Sequence, residues 1–374
     1  MRIVFTVEFY YPHKGGAEYV VQTLAEGLAR RGHDTTVVTS VDANRDGDHL
    51  NKVRICEFAI SGNRVKGMRG NCGAYVDFLA ECQCDVFVNY AAQSWPTDLA
   101  FDHLERIHAV KVLMPCGYSG LAMLSKRPFY WTYFRRLPGY LRRYDHIVYH
   151  SGNYIDKVFG DRHGIASYSV IPNGVSLGEM ENAGVDFRRI YGIDTPYMLL
   201  SVSNHWRLKN HGFVIDAFQK LRRNDVTLVI IGDAVAGRRG CFRACEKAAR
   251  RSTRPIRLIS SAERKHTVAA FRQADLFVLG SRVECFPLVL LEAMASRTAF
   301  VATPVGAIQD FAGGVTATTP AEMSQSITHL LDNEGLRLHL AEAGYRQCVS
   351  RYNWDAILNS YEDLFGNLVA RRSG

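Results

Sequence analysis

The first forty residues restrict the fold more than any other stretch of the chain. RIVFTVEF (2–9) is a mostly apolar, β-rich run, and the loop YPHKGG follows it. AEYVVQTLAEGLARRG then sets Val20, Val21, Leu24 and Leu28 on one helical face and stops at Gly32. DTTVVTS (34–40) reads as the next strand. Strand, glycine loop, helix, strand is a βαβ unit, the connection that parallel strands need. Further apolar strands are expected at 85–90, 109–114 and 146–151, with helical or loop material between them. Alternation of this kind builds a parallel sheet covered on both faces.

The pattern then restarts. After VIPNGVS (170–176) and a polar stretch through Asp194, strands recur at 197–203, 227–232, 257–260, 276–280 and 299–303. A chain of 374 residues is long for a single core. The expected fold is therefore α/β, with two Rossmann-like, doubly wound domains over 1–170 and 171–354 and a ligand cleft between them. In such sheets the loops that follow strands carry the ligand contacts.

Composition narrows the functional classes. Hydrophobic residues at 47% and charged residues at 22% describe a soluble globular protein, and no run approaches the roughly 20 apolar residues needed to span a bilayer. MRIVFTVEF begins a strand at once, without the marks of a secretion signal. Nine irregularly placed cysteines read as thiols of a reducing, cytoplasmic compartment. Neither Cys82/Cys84 nor Cys241/Cys245 has a second cysteine pair at zinc-ligand spacing, so no metal is expected. The net charge of +8 is unevenly spread. From Lys126 to Arg143 lie six basic residues, no acidic one and six aromatics, and from Arg238 to Lys265 ten basic residues against Glu246 and Glu263. Basic faces attract nucleic acid, anionic lipid or phosphorylated substrates alike, and no nucleic-acid motif is present.

Three loops after strands carry candidate chemistry. In YPHKGGAE, Gly15 and Gly16 let backbone N–H groups approach an anion while the helix start supplies partial positive charge; a tight strand-to-helix turn would use the same glycines. The loop lacks GxGxxG, which argues against a nicotinamide oxidoreductase. In SNHWRLKN (203–210), Arg207 and Lys209 can neutralise a phosphate or stay solvated. In VECFPLVLLEAMAS (283–296), Glu284 falls in a loop, Pro287 suits the first helical position, and Glu292 lies a turn and a half further on. Ionised carboxylates there could accept from pairs of sugar hydroxyls, with free N–H groups near Phe286 and Leu288 turned to an anion. The plainer alternative makes Glu284 a helix N-terminal charge and Glu292 a solvent-facing residue.

ECFPLVLLE, with seven residues between its glutamates, resembles the signature of glycosyltransferase family 4, retaining enzymes of the GT-B fold. YPHKGGAE, VIPNGV, SVSNHWRLKNH, TPVGAIQDF and RYNWDAILNSYEDLF resemble further family segments in the same order. The resemblance implies transfer of a sugar from a nucleoside-diphosphate sugar, UDP- or GDP-linked, to an acceptor hydroxyl, with no cofactor and no metal. It implies catalytic roles for Glu284 and Lys209, with Arg207 standing in for the family's usual arginine, whose place Asn204 takes. It implies donor contacts from Gly15, Gly16, Asn204, Cys285, Phe286, Pro287, Leu288 and Glu292. It also implies that the last helix, about 355–374, returns to the first domain. Where the family often has Pro-His-Gly, this chain has Pro115-Cys116-Gly117, which makes Cys116 and Gly117 candidate sugar-pocket residues and leaves a catalytically impaired sugar-nucleotide binder as the rival reading. The basic, aromatic segment 126–143 suits an anionic membrane surface, and hence a lipid-linked or other glycan acceptor at the inner face of the membrane.

Overall fold

The apolar run at the N-terminus forms β1 (Arg2–Thr6), followed by β2 (Asp34–Ser40), β3 (His49–Leu50), β4 (Val53–Phe58), β5 (Ile60–Asn63), β6 (Gly67–Gly70), β7 (Val86–Tyr90), β8 (Val110–Met114), β9 (His146–Tyr149) and β10 (Tyr168–Val170). This is a computed structural model that describes residues 1–13, 15–121, 130–181, 184–235 and 240–373. The chain divides into two units, one made of Met1–Asn173 with Asp355–Gly374 and the other of Gly174–Trp354.

In the first unit the sheet order is β10-β9-β8-β7-β1-β2-β4-β3, and β5 pairs with β6 in a separate hairpin. All pairs in the large sheet are parallel except β3 with β4. All five residues of β7 are buried, as a strand covered on both faces requires. β1 ends at Thr6 rather than residue 9, although the Val7 amide still donates to the Val38 carbonyl at 3.0 Å. The final helix, Trp354–Ser373, belongs here: Glu362 accepts from Arg31 and pairs with His33, each at 2.8 Å. A Cβ on Gly27 would lie 2.6 Å from Leu358, so the absent side chain sets how closely that helix approaches helix Gly16–Arg30.

The second unit holds β11 (Tyr197–Val202), β12 (Val226–Ile231), β13 (Ile256–Ile259), β14 (Leu276–Leu279), β15 (Phe300–Ala302) and β16 (Gly314–Thr316). They form an all-parallel sheet in the order β13-β12-β11-β14-β15-β16. Alternate residues enter different cores. Met198, Leu200, Val229, Phe277 and Phe300 pack on one face, and Leu199, Leu228, Val278 and Val301 on the other. The unit closes where its chain enters and leaves, with the Val175 amide donating to the Tyr352 carbonyl at 2.7 Å.

Chain direction reverses its walk across each sheet between β1 and β7 in the first unit and between β11 and β14 in the second. Loops after those strands splay apart and leave a crevice at the carboxyl edge. Leu200 is fully buried at the middle of β11. Leu200→Ala is expected to cost roughly 2–5 kcal/mol, measured as a lower urea midpoint for the transition of the second unit.

Candidate active site

The loop after β11 runs through Ser203 into a 3₁₀ turn, Arg207–Lys209, and Asn210 then takes the left-handed conformation at φ 54° before helix His211–Gln219. Asn210 holds this turn by donating its side-chain amide to the Gly280 carbonyl at 3.0 Å, just past β14. The Arg282 amide donates back to the Leu208 carbonyl at 2.8 Å. These two bonds lash the loops of neighbouring strands together. They also deliver Lys209 to Glu284, whose Oε1 lies 2.7 Å from the ammonium and accepts from Ser281 Oγ at 2.6 Å. Glu284 is 9% exposed and Lys209 28%, so the pair sits at a rim, with the carboxylate inside and the cation reaching water.

The backbone at Glu284 is fixed by its neighbours. Gly306 lies at φ 62°, and a Cβ there would come within 2.1 Å of the Glu284 carbonyl oxygen. Glycine is needed for both reasons. The Ala307 amide donates to the Cys285 carbonyl at 3.2 Å, and Thr303 Oγ1 donates to the Ser281 carbonyl at 2.5 Å. Phe286 is buried against Phe311 and Tyr352. Pro287 is the cap of helix Leu288–Ala295 rather than its first residue, because its ψ of 110° is extended. No side chain caps this helix start, which leaves the Leu288 end of the helix as an amide donor edge beside Glu284.

Glu292 is buried rather than solvent-facing and pairs with Arg264 at 2.6 Å. Burial raises its pKa above the usual carboxylate value, while Arg264 pulls it down. Arg264 also grips Glu179 with two bonds of 2.8 Å. Sequence spacing gave no signal for Arg264, which lies 28 residues before its partner, within the basic stretch from Arg238 to Lys265. In that stretch Arg243, Lys247, Arg250 and Arg251 are exposed, while Arg238 and Arg239 lie outside the described residues.

Two of the residues expected at the site remain apart from this cluster. Arg207 is exposed and makes no hydrogen bond or ion pair among the described residues. Asn204 spends its side-chain oxygen on the Asp233 amide at 3.3 Å, steadying the end of β12.

In the first unit Gly15 caps helix Gly16–Arg30 in an extended conformation, without a side-chain cap. The Glu18 carboxylate folds back over it: a Cβ on Gly15 would meet Glu18 Oε2 at 2.2 Å. An anion is thus already placed at this helix start, and His13 stands 3.4 Å from it, its pKa raised first by the Glu18 hydrogen bond. Lys14 lies outside the described residues. After β7 and β8, three non-glycine residues have left-handed backbones: Ala91, Gln93 and Cys116, at φ 65°, 65° and 56°. Such strain clusters where a fold shapes a site. Asp156, buried and pushed up to about 6 by desolvation, accepts from the Gly117 amide at 2.9 Å and so fixes the Cys116-Gly117 turn.

Residues 14–179 match the family model described as Glycosyltransferase Family 4, and residues 196–333 the one described as Glycosyl transferases group 1. The chain belongs to glycosyltransferase family 4. Among curated relatives, this chain is 29% identical over 242 residues to D-inositol 3-phosphate glycosyltransferase of Salinispora arenicola, covering 59% of this chain and 53% of that one. It is 26% identical over 231 residues to lipopolysaccharide 1,2-N-acetylglucosaminetransferase of Salmonella typhimurium, covering 57% and 60%. The chain thus spans about half the length of the curated relatives it matches. Its fold is GT-B. Sucrose-phosphate synthase from Thermosynechococcus elongatus matches with a TM-score of 0.84 at 17% identity over 99% of both chains, and Anabaena HepE in complex with UDP-glucose with 0.80 at 16% identity over 98% and 100%.

Glu8, just past β1, is a further group at the strand-order reversal that sequence reading passed over. Burial pushes its carboxyl up to about 7, against smaller opposing effects of Lys66 and His13. The sign follows directly. Between 4.5 and about 7 the folded state holds a proton that the unfolded chain releases, so this group's contribution to stability falls as pH rises through that window. Asp98 and Asp156, both near 6, act in the same direction. Glu8→Gln is expected to flatten the pH dependence of thermal unfolding between about pH 5 and about pH 8 relative to the parent protein, measured by melts in matched buffers.

Proposed function

We propose that the protein is a retaining glycosyltransferase that moves a hexosyl group from a UDP- or GDP-sugar to an acceptor hydroxyl of a lipid-linked or other glycan, without a catalytic metal. The observation that carries this reading is the meeting of Lys209 and Glu284 at 2.7 Å where the strand order reverses. A diphosphate would take Lys209 as counter-ion, aided by the uncapped start of helix Leu288–Ala295, and Arg207 is a second cation, without a protein partner among the described residues. Glu284, turned partly free of its lysine, would accept from sugar hydroxyls; Glu292 would do the same for the ribose, with Arg264 holding its charge.

In the transfer, the bond between the anomeric carbon and the diphosphate oxygen breaks. The acceptor oxygen bonds to the same face of that carbon, and its proton passes to the departing diphosphate. No side-chain base is required. Lys209 and the helix amides stabilise the charge that grows on the leaving oxygen, the kind of preorganised contact whose loss costs about 10²–10³ in rate. The glycine turn at Gly15 and Gly16 is a further anion site, which the Glu18 carboxylate would have to vacate.

Cys116 favours a second reading, a sugar-nucleotide binder without turnover, because a thiol stands where the family often has an imidazole. Transfer of radiolabel from UDP- and GDP-sugars separates the two. A binder raises the melting temperature with donor but never consumes it. Lys209→Ala and Glu284→Gln are each expected to lower turnover about 100-fold or more, with cooperative unfolding retained; parental rates in both would refute the assignment.

The acceptor is assigned to a membrane surface on narrower grounds. Within helix Tyr130–Leu141, Tyr130, Tyr133 and Phe134 face the core, while Trp131, Arg135 and Arg136 are exposed. Lys126, Arg127 and Phe129 lie outside the described residues. Among the described residues no helix is long and apolar enough to cross a membrane. Co-sedimentation with anionic but not neutral vesicles, reduced in an Arg135→Ala/Arg136→Ala variant, is the expected result.

A further inference from the structure

Beside the loop that carries Lys209, four side chains with metal-binding atoms converge: His205, His211, Cys241 and Cys245, whose ligand atoms all lie within 4.8 Å of one another. His205 follows β11, and His211 opens helix His211–Gln219. Cys241 and Cys245 stand one turn apart on helix Gly240–Arg251, which puts both sulfurs on one face. His205, His211 and Cys245 are buried and Cys241 is half-buried. We propose that these four residues form a structural zinc site, Cys2His2, within the second unit.

The geometry is close to what such an ion demands. Bonds of about 2.3 Å to sulfur and about 2.1 Å to nitrogen, arranged tetrahedrally, separate a sulfur from a nitrogen by about 3.6 Å. Cys241 Sγ and His211 Nδ1 are 3.7 Å apart. The other nitrogen of His211 lies 3.0 Å from Ser203 Oγ, so Nε2–H would donate there while Nδ1 binds the ion. Orientation of a ligating imidazole through its second nitrogen is the usual outer-shell device at zinc. The remaining adjustment falls on His205, which stacks on His211 with centroids 4.4 Å apart and planes 21° from parallel; its ring would tilt to bring one nitrogen in.

His205 is also what sets this cluster apart from a hydrogen-bonded core. It is fully buried, yet among the described residues neither ring nitrogen has a hydrogen-bond partner. A core histidine that leaves both nitrogens unsatisfied forfeits their hydration with no return, and native cores rarely tolerate it. A metal would satisfy one of them. Zinc held by two thiolates and two neutral imidazoles carries no net charge, and the two thiol protons leave to solvent. With four protein ligands no coordination position is left for chemistry, which makes the role structural. Fixing His205 and His211 would clamp both ends of the turn Arg207–Lys209.

The cysteine spacing alone could not reveal the site, since its partners are histidines 30 and 36 residues upstream of Cys241, not a second cysteine pair. The proposal does not depend on the transferase reading, because metal content is read without activity. Full-length protein purified under reducing conditions without chelator is expected to hold about one zinc per chain by elemental analysis. Cobalt(II) exchanged into it should show thiolate-to-cobalt charge-transfer absorption and tetrahedral ligand-field bands. Cys245→Ser should lower zinc affinity at least about tenfold, while Cys72→Ser, in the first unit, should leave it unchanged. If Cys245→Ser fails to fold, the cobalt spectrum and the effect of a chelator on the melting temperature of the parent protein decide alone. Protein that binds neither zinc nor cobalt after reduction and reconstitution, and melts identically with and without chelator, overturns the site.

Discussion

The second unit depends on one constraint, the reversal of strand order between β11 and β14. Adjacent parallel strands whose connections leave in opposite directions cannot have their outgoing loops fill the same space, and the crevice between them must be lined with whatever those loops carry. Here they carry Lys209 and Glu284. The pair is not a surface ion pair of small consequence: its carboxylate is nearly buried, and removing the lysine would strand that charge. Ser281 donates to the carboxylate, Asn210 ties the lysine's loop to the Gly280 carbonyl, and Gly306 permits a close backbone contact at Glu284. The polar groups are thus preorganised before any ligand arrives.

The same logic orders the first unit, where β1 and β7 flank the reversal. Glu8 is held near neutrality at the end of β1, Glu18 covers the glycine turn, and left-handed residues bend the loops after β7 and β8. Both units therefore store unfavourable electrostatics or backbone strain at the carboxyl edges of their sheets, while the strands beneath are mainly apolar. Such separation between a stable scaffold and a strained rim is how a doubly wound fold carries chemistry.

Several elements were legible from residue order because their cause is local. Val20, Val21, Leu24 and Leu28 recur at helical spacing and all four are buried in helix Gly16–Arg30. DTTVVTS is β2 over its whole length, and YMLLSVS lost a single residue at its end. β4, β5 and β6 were not legible. β4 alternates buried with exposed positions only partly, and β6 contains two glycines and is largely exposed, so their hydrophobic signal is weak. The glutamate at 284 was readable as a carboxylate in the loop after β14, but its pairing with Lys209, 75 residues earlier, was not.

The sequence by itself determined the alternation of strands and helices, the restart that makes two α/β units, and the residue types available after each strand, because apolar periodicity and glycine placement act over a few residues. The tertiary structure decided which of those residues meet. Arg264 reaches Glu292, Glu18 folds over Gly15, and His205 and His211 join Cys241 and Cys245 only through the packing of their helices and the order of strands in the sheet. That order is set by burial of both sheet faces and by right-handed crossovers, cooperative properties of the whole sheet that no spacing between two residues encodes.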